Sequence, residues 1–401
     1  MSVAAVTASM SAAAPGTGVD RGPALTILAT FLLGAMAITD LITFTQGALF
    51  LVGGVSGVAL YHASFGFTGG WRRMVMERRS AALRAQMLMV GIAAIVMIPL
   101  VTEGRIFGQI LVGASGPIGV SVALGAAMFG FGMQLGGGCG SGTLFAVGGG
   151  SARMLVTLFF FILGSLLATA HLPWWLTLPN IGEYSLGANL GAFGGLAVTL
   201  AGLAAVAFLV ARIEIARHGS LEKTRAVGAQ RLDRLLHGPW PLIWGAFALA
   251  AVNIATLLLS GHPWSITFAF GLWGAKAAQA LGVAVETWQF WTWPGPSLAL
   301  HGSILADDTS VMDFGLVLGA ALAASLAGKF APKAKLPFLS ILAAVIGGVL
   351  MGYGARLAFG CNIGALFSGI ATGSLHGWLW FGCAFIGSWA GVRARPAFGL
   401  A

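Results

Sequence analysis

The sequence predicts an all-α integral membrane protein. It should have about nine transmembrane helices, short re-entrant or broken helices between them, and two inverted pseudo-repeats. Three observations lead there. The 401 residues are 58% hydrophobic and 8% charged, against roughly 25% charged in soluble domains. Long apolar runs recur along the chain at lengths suited to a bilayer. Finally, two glycine-rich segments, each centred on a cysteine, repeat one another in the two halves.

The apolar runs are residues 24–44, 83–101, 117–135, 154–170, 190–211, 239–260, 314–327, 336–353 and 375–392. Several approach the ~20 residues a helix needs to cross the hydrocarbon, and the shorter ones fit broken or tilted crossings. Residues 1–22 have no basic stretch followed by a compact apolar core, so they read as a flexible N-terminal tail rather than a cleaved signal. Residues 23–212 are assigned to a first membrane repeat, 213–238 to a cytoplasmic basic loop, and 239–401 to a second membrane repeat.

A net charge of +9 does not point to nucleic acid, because the basic residues are not interleaved with stacking aromatics on a soluble face. They sit between the apolar runs in four groups: Arg72, Arg73, Arg78, Arg79 and Arg84; residues 212–234; Lys329, Lys333 and Lys335; and Arg393 with Arg395. The positive-inside rule puts all four on the cytoplasmic side. The opposite side receives residues 171–187 and 286–310, which are rich in Trp and Pro and free of Lys and Arg. Three cysteines without a CxxC pair exclude a disulfide scaffold or a dithiol redox site. The seven histidines stand at no ligand spacing, so neither a metal nor another cofactor is expected.

The internal repeat is carried by "FGFGMQLGGGCGSGTLFAVGGGS", from Phe129, and "LMGYGARLAFGCNIGALFSGIATGS", from Leu350. Aligned on Cys139 and Cys361, both show Gly-x-Gly, an apolar approach, Gly-Cys, a Gly-Thr/Ala-Leu-Phe step and a glycine cluster. A weaker pair is "SFGFTGGW" from Ser64 and "TFAFGLWG" from Thr267. Loop parity makes the two cysteine segments cross in opposite senses. Inverted repeats whose discontinuous helices meet near the midplane mark a transporter core.

Each interior glycine weakens a helix by roughly 1 kcal/mol relative to alanine, so these breaks need a purpose. Irregular backbone at membrane depth is tolerated where it is buried in protein or lines a cavity. Gly138, Gly140 and Gly360 let the chain break and approach a small solute closely. Ser141 and Asn362 are the expected caps of two new half-helices beginning just after the thiols. Helix N-termini present unpaired N–H groups and partial positive charge, which suits an anion. Cys139 and Cys361 would wall that site. Arg356, five residues before Cys361, either attracts the anion or snorkels to an interface, and Gln134 holds the corresponding place. Arg153 and Lys276 read as topological anchors, His376, Trp378 and Trp380 as packing or interface residues, and Cys383 as a small hydrophobe. The acidic residues Asp40, Glu103 and Glu286 fall near span ends, and none is identified as a proton-coupling carboxylate.

The cysteine segments, especially "GARLAFGCNIGALFSGIATGSLHGWLW", resemble the paired motifs of the YeeE/YedE-type sulfur-transport family, with likeness extending from about Val55 to Val392. The resemblance implies a multi-pass protein of the bacterial inner membrane, in contact with lipid, that imports thiosulfate or a related sulfur anion. The anion would pass by transient hydrogen bonds along a path lined by cysteines. It also implies a cytoplasmic TusA-like sulfur-carrier protein as partner. One departure is Gly66, which stands where the family's first break carries a thiol. A passive channel for small inorganic anions and a membrane thiol-dependent sulfur transferase are the alternatives. The transferase lacks a histidine or carboxylate within a helical turn of either cysteine, so an enzyme is not expected.

Overall fold

The structure, a computed structural model, describes residues 19–222, 231–330 and 336–400. Most of the expected N-terminal tail, residues 223–230 of the basic loop, and Lys333 with Lys335 lie outside these. In chain order, Arg21–Leu41 (α1) leads into Phe44–His62 (α2) and, after a break, the short Phe67–Glu77 (α3). Ala81–Glu103 (α4) is followed by a hairpin of two short strands, Arg105–Ile106 (β1) and Gln109–Ile110 (β2). Val120–Gly136 (α5) and Gly140–Gly148 (α6) form one interrupted crossing, then come Ala152–Trp175 (α7) and Leu186–His218 (α8). The second half contains Arg231–His237 (α9), Leu242–Ser260 (α10), Thr267–Ala280 (α11), Pro294–His301 (α12), Asp308–Leu326 (α13) and Phe338–Leu357 (α14). A π-helix, Asn362–Ser368, one turn at Gly369–Ala371 (α15) and Leu375–Ala394 (α16) complete it.

Among the described residues, nine helical stretches are long and apolar enough to cross a membrane. That number agrees with the sequence, but one member differs. Phe44–Glu77 is among the nine although no expected run covered it, because Thr45, Gln46, Ser56 and the glycines of α2 dilute its hydropathy. Residues 375–392 do form a helix, α16, yet their glycine, tryptophan and histidine keep it out of the nine.

At the centre, α5 and α14 run antiparallel. Gly125 meets the backbone of Gly354, while Gly132 and Gly136 meet Gly347, which has no room for a Cβ. Small residues let membrane helices approach until their backbones touch, where dispersion and weak contacts replace the hydrophobic drive that lipid removes. Helix α7 lies along the outside of α14 and α16 along the outside of α5; α13 follows α2, and α8 follows α4.

The arginine-rich segments gather at one end of the bundle. There the Glu214 carboxylate of α8, fully buried, accepts from Ser80 N (2.9 Å), Glu222 N (2.8 Å), Arg79 Nη1 (3.2 Å) and the Ser80 hydroxyl. It thereby closes the turn between α3 and α4. The tryptophan-rich segments gather at the other end, where Lys276 donates to the carbonyls of Leu300 and Gly302, both at 2.7 Å. Lys276 thus holds the end of α12, a more specific task than the anchoring expected of it.

Removing Glu214 leaves a buried and a half-buried backbone N–H group and a guanidinium without their acceptor, at a cost of about 3 kcal/mol. Glu214→Ala is therefore expected to lower the unfolding midpoint of the purified protein in detergent by several degrees. Glu222→Ala, which removes only the exposed ion pair with Arg73, should shift it little. Equal effects would contradict this assignment.

Candidate functional site

Helix α5 stops at Gly137, whose φ of +92° is the left-handed conformation that glycine adopts without strain. Its last carbonyls do not go unpaired. Arg153 donates through Nη1 to Gly136 O and through Nη2 to Leu135 O, both at 2.5 Å, while its Nε reaches Ser340 Oγ at 2.8 Å. An arginine read from sequence as a topological anchor instead ties the break in α5 to the start of α14.

The new helix α6 begins at once, and its N-cap is Cys139, in extended conformation, with Sγ accepting from Gly142 N at 3.4 Å. In the second half, Phe359 and Gly360 both take positive φ (56° and 146°), and Cys361 caps the π-helix with Sγ accepting from Ile363 N at 3.4 Å. The Gly360 carbonyl is held by Trp380 Nε1 at 3.1 Å. One of the sequence expectations is corrected here. The caps are the cysteines themselves; Ser141 Oγ lies 3.5 Å from Cys139 Sγ, and the buried Asn362 amide has no hydrogen-bond partner among the described residues. Trp380 is fully buried, in keeping with a packing role.

The two thiols converge. A Cβ placed on Gly140, the residue after Cys139, would stand 3.1 Å from Cys361 Sγ, 3.4 Å from Ile266 Cγ2 and 3.5 Å from Thr267 Cγ2. Three helix starts, those of α6, the π-helix and α11, therefore meet around the cysteines, each with first-turn N–H groups that have no partner within the helix. Cys139 is 1% and Cys361 0% exposed, so the site is sealed in this conformation. A π-turn at this point is in keeping with the concentration of such turns at functional sites.

Two matched side chains fasten the neighbouring helix starts. Arg356 Nη2 donates to Thr267 O at 3.1 Å, with its guanidinium over the rings of Phe268 and Phe290. Gln134, its counterpart, donates to Thr68 O at 3.1 Å and to Ser388 Oγ at 2.8 Å. Arg356 thus brings its positive charge to the first turn of α11, which borders Gly140 as Cys361 does. Gly66 is not part of this meeting point. It caps α3 and lines a small cavity with Ala82, Gln86 and Leu242, and a Cβ there would have only Ser64 O near it, at 3.9 Å. Cys383 is partly exposed on α16.

Sequence reasoning missed Asn253, buried in the middle of α10. Its amide donates to Ser368 Oγ (3.1 Å) and accepts from Trp264 N (2.8 Å), and Ser368 Oγ donates to Trp264 O (2.7 Å). This network fixes the approach to α11 against the π-helix. A lone asparagine inside an otherwise apolar run was the available signal. On the tryptophan-rich side of the site, a cavity of about 600 Å³ is lined by His262, Ser265, Phe268, Asp307 and Asp308, among others. Ser265 joins it to the π-helix, its Oγ lying 3.5 Å from where a Cβ on Gly364 would be.

The sequence profile of the sulphur-transport family matches residues 62–390, which include both cysteines and the starts of α6, α11 and the π-helix. The chain belongs to that family. Among curated relatives, it is similar to the probable transporter YedE of Escherichia coli K12, with 34% identity over 38% of this chain and 37% of YedE. It is also similar to the thiosulfate transporter TsuA of Spirochaeta thermophila, with 28% identity over 66% of this chain and 74% of TsuA. Against TsuA of Escherichia coli K12 the identity is 23%, over 86% of this chain and 94% of the relative. The chain thus spans little more than a third of YedE but most of the two TsuA proteins. It is a multi-pass membrane protein of a transport family.

The tightness of the break is testable. A Cβ on Gly138 would land 2.9 Å from the backbone of Gly142 and Thr143, whereas one on Gly69 would meet nothing within 4 Å. Gly138→Ala is expected to destabilise the protein by about 1–3 kcal/mol, read as a lowered unfolding midpoint in detergent. Gly69→Ala should leave that midpoint unchanged or raise it slightly. Tolerance of Gly138→Ala at the level of Gly69→Ala would contradict the geometry.

Proposed function

We propose that this chain imports a small sulfur-containing anion, thiosulfate foremost, across the bacterial inner membrane. Its path passes between Cys139 and Cys361. The observation that carries the reading is the convergence of two thiols, each capping a broken helix, on one buried point where three helix starts meet. Helix N-termini there offer backbone donors and partial positive charge to an anion's oxygens. A thiol is a weak donor and a polarisable neighbour, suited to a terminal sulfur. Transient hydrogen bonds are enough for such a transfer, and no covalent step is involved.

The matched packing supports two inverted repeats, residues 23–212 and 239–401, as the frame of this path. The antiparallel α5 and α14, each flanked by the helix that follows the opposite cysteine, are what such a duplication produces. With the arginine-rich end cytoplasmic, the cavity at the tryptophan-rich end faces the side from which the anion arrives. Members of this family named as thiosulfate transporters favour thiosulfate over other anions as the first substrate to test. A TusA-like carrier as cytoplasmic recipient is part of the same proposal, on the resemblance in sequence.

The test is uptake of radiolabelled thiosulfate by cells lacking their own importers, at matched membrane expression. Cys139→Ala and Cys361→Ala should each reduce uptake about tenfold or more, as expected when a hydrogen bond to a charged group is lost at a buried site. Uptake that survives both substitutions would support a passive anion channel instead. Absence of uptake by the unsubstituted protein would remove thiosulfate as the substrate.

A further inference from the structure

Asp313 stands on α13, fully buried, and neither carboxylate oxygen has a hydrogen-bond partner among the described residues. Ionised carboxylates are almost never left so, because an unpaired buried charge is among the most costly arrangements a protein can hold, whereas the neutral acid is far better tolerated. An ionisable residue inside a membrane helix therefore calls for a function. We propose that Asp313 is a proton-binding carboxylate that couples entry of the anion to entry of a proton, an inference that rests on the import reading above.

The surroundings place acidic groups between the cavity and Asp313 along one helix. The cavity of about 600 Å³ at the tryptophan-rich end is lined by Asp307, Asp308, Thr309 and His262, and Asp313 lies about one and a half turns further along the same helix. Asp307 Oδ2 caps α13, accepting from Ser310 N (2.8 Å) and Ser310 Oγ (2.6 Å); burial pushes its carboxyl up from the ordinary range. Asp308 pairs with His262 Nε2 at 2.9 Å and accepts from Gln46. A proton thus has acidic groups at the mouth from which to reach Asp313.

The remaining groups leave Asp313 unopposed. On α11, Lys276 is occupied by the Leu300 and Gly302 carbonyls. On α2, Tyr61 and His62 lie toward the arginine-rich end, as do Asp233, Arg234 and His237 of α9. Helix α6 offers only its cap, Cys139, and α1 carries Arg21 and Asp40 near its two ends. Helix α13 itself packs against α6, whose cap is Cys139, and against α11, whose start lies beside the thiols. An anion arriving at the thiols is accordingly repelled by an ionised Asp313 and accepted beside a neutral one, which makes proton binding and anion binding favour each other. The need is physical as well. A dianion moving inward works against an inside-negative potential, and an accompanying proton removes part of that charge. No atom is oxidised or reduced: the proton binds from the outside, travels with the anion, and leaves to the cytoplasm.

The test uses purified full-length protein in liposomes with imposed pH gradients. Thiosulfate uptake should rise several-fold when the outside is made acidic. Asp313→Asn should abolish that response, and Asp313→Glu should keep it. Uptake indifferent to the gradient, or an Asp313→Asn protein that still follows it, overturns the proposal. Labelling by dicyclohexylcarbodiimide, which attacks protonated carboxyls in apolar surroundings, needs neither variant nor substrate. Modification at Asp313 that declines as pH rises supports the proposal, and its absence at acid pH overturns it. If the unsubstituted protein carries no sulfur anion, the import reading fails, and the labelling judges Asp313 by itself.

Discussion

A chain that interrupts its helices inside a membrane must find partners for every backbone group it frees, because no water is there to serve. Most of what distinguishes this protein follows from that constraint. The carbonyls released at the end of α5 are taken by Arg153 and that of Gly360 by Trp380, while the N–H groups at the two new helix starts find the sulfur atoms of Cys139 and Cys361. Sulfur is a poorer acceptor than the oxygen of serine, aspartate or asparagine, which are the common caps. Two breaks capped by cysteine therefore give up stability, and what they gain is a pair of thiols held at the ends of two helix dipoles.

The same economy explains the packing around the site. Backbone contact between α5 and α14 brings the two breaks to one depth, since the glycine seam fixes how far one helix slides along the other. Arg153 bridges that pair at one end through Ser340, and Asn253 with Ser368 locks the start of α11 against the π-helix. Gln134 and Arg356, in matching places, each hold a carbonyl in the first turn of a neighbouring short helix. Buried polar atoms without a hydrogen-bond partner among the described residues include Arg356 Nε, Gln134 Oε1, both oxygens of Asp313 and both polar atoms of the Asn362 amide; the last two side chains have neither polar atom committed, which leaves them available to a proton or a solute.

Much of this was legible in the sequence, though unevenly. Composition and the apolar runs settled the class of protein, and the glycine clusters located both breaks because nothing else accounts for so many poor helix formers in an apolar segment. The crossing formed by α2 and α3 was overlooked in the sequence, since Thr45, Gln46, Ser56 and the glycines of α2 lower its hydropathy below that of its neighbours. The caps were misread for a reason of propensity: Ser141 and Asn362 are better caps by type, but the extended residue preceding each helix is the cysteine. The π-helix leaves no pattern in residue type. Asp313 and Trp380 look ordinary in sequence, one near a span end and the other in an aromatic run, and only the packing shows that each is wholly buried.

The most direct measurement is a structure of the protein determined with selenosulfate, the heavier analogue of thiosulfate, using the anomalous signal of selenium to place its terminal atom. A shared site predicts selenium in contact with both Cys139 Sγ and Cys361 Sγ, with the oxygens turned toward the first-turn N–H groups. Selenium found only in the cavity beside Asp307 and Asp308, with the two thiols touching protein alone, would contradict it.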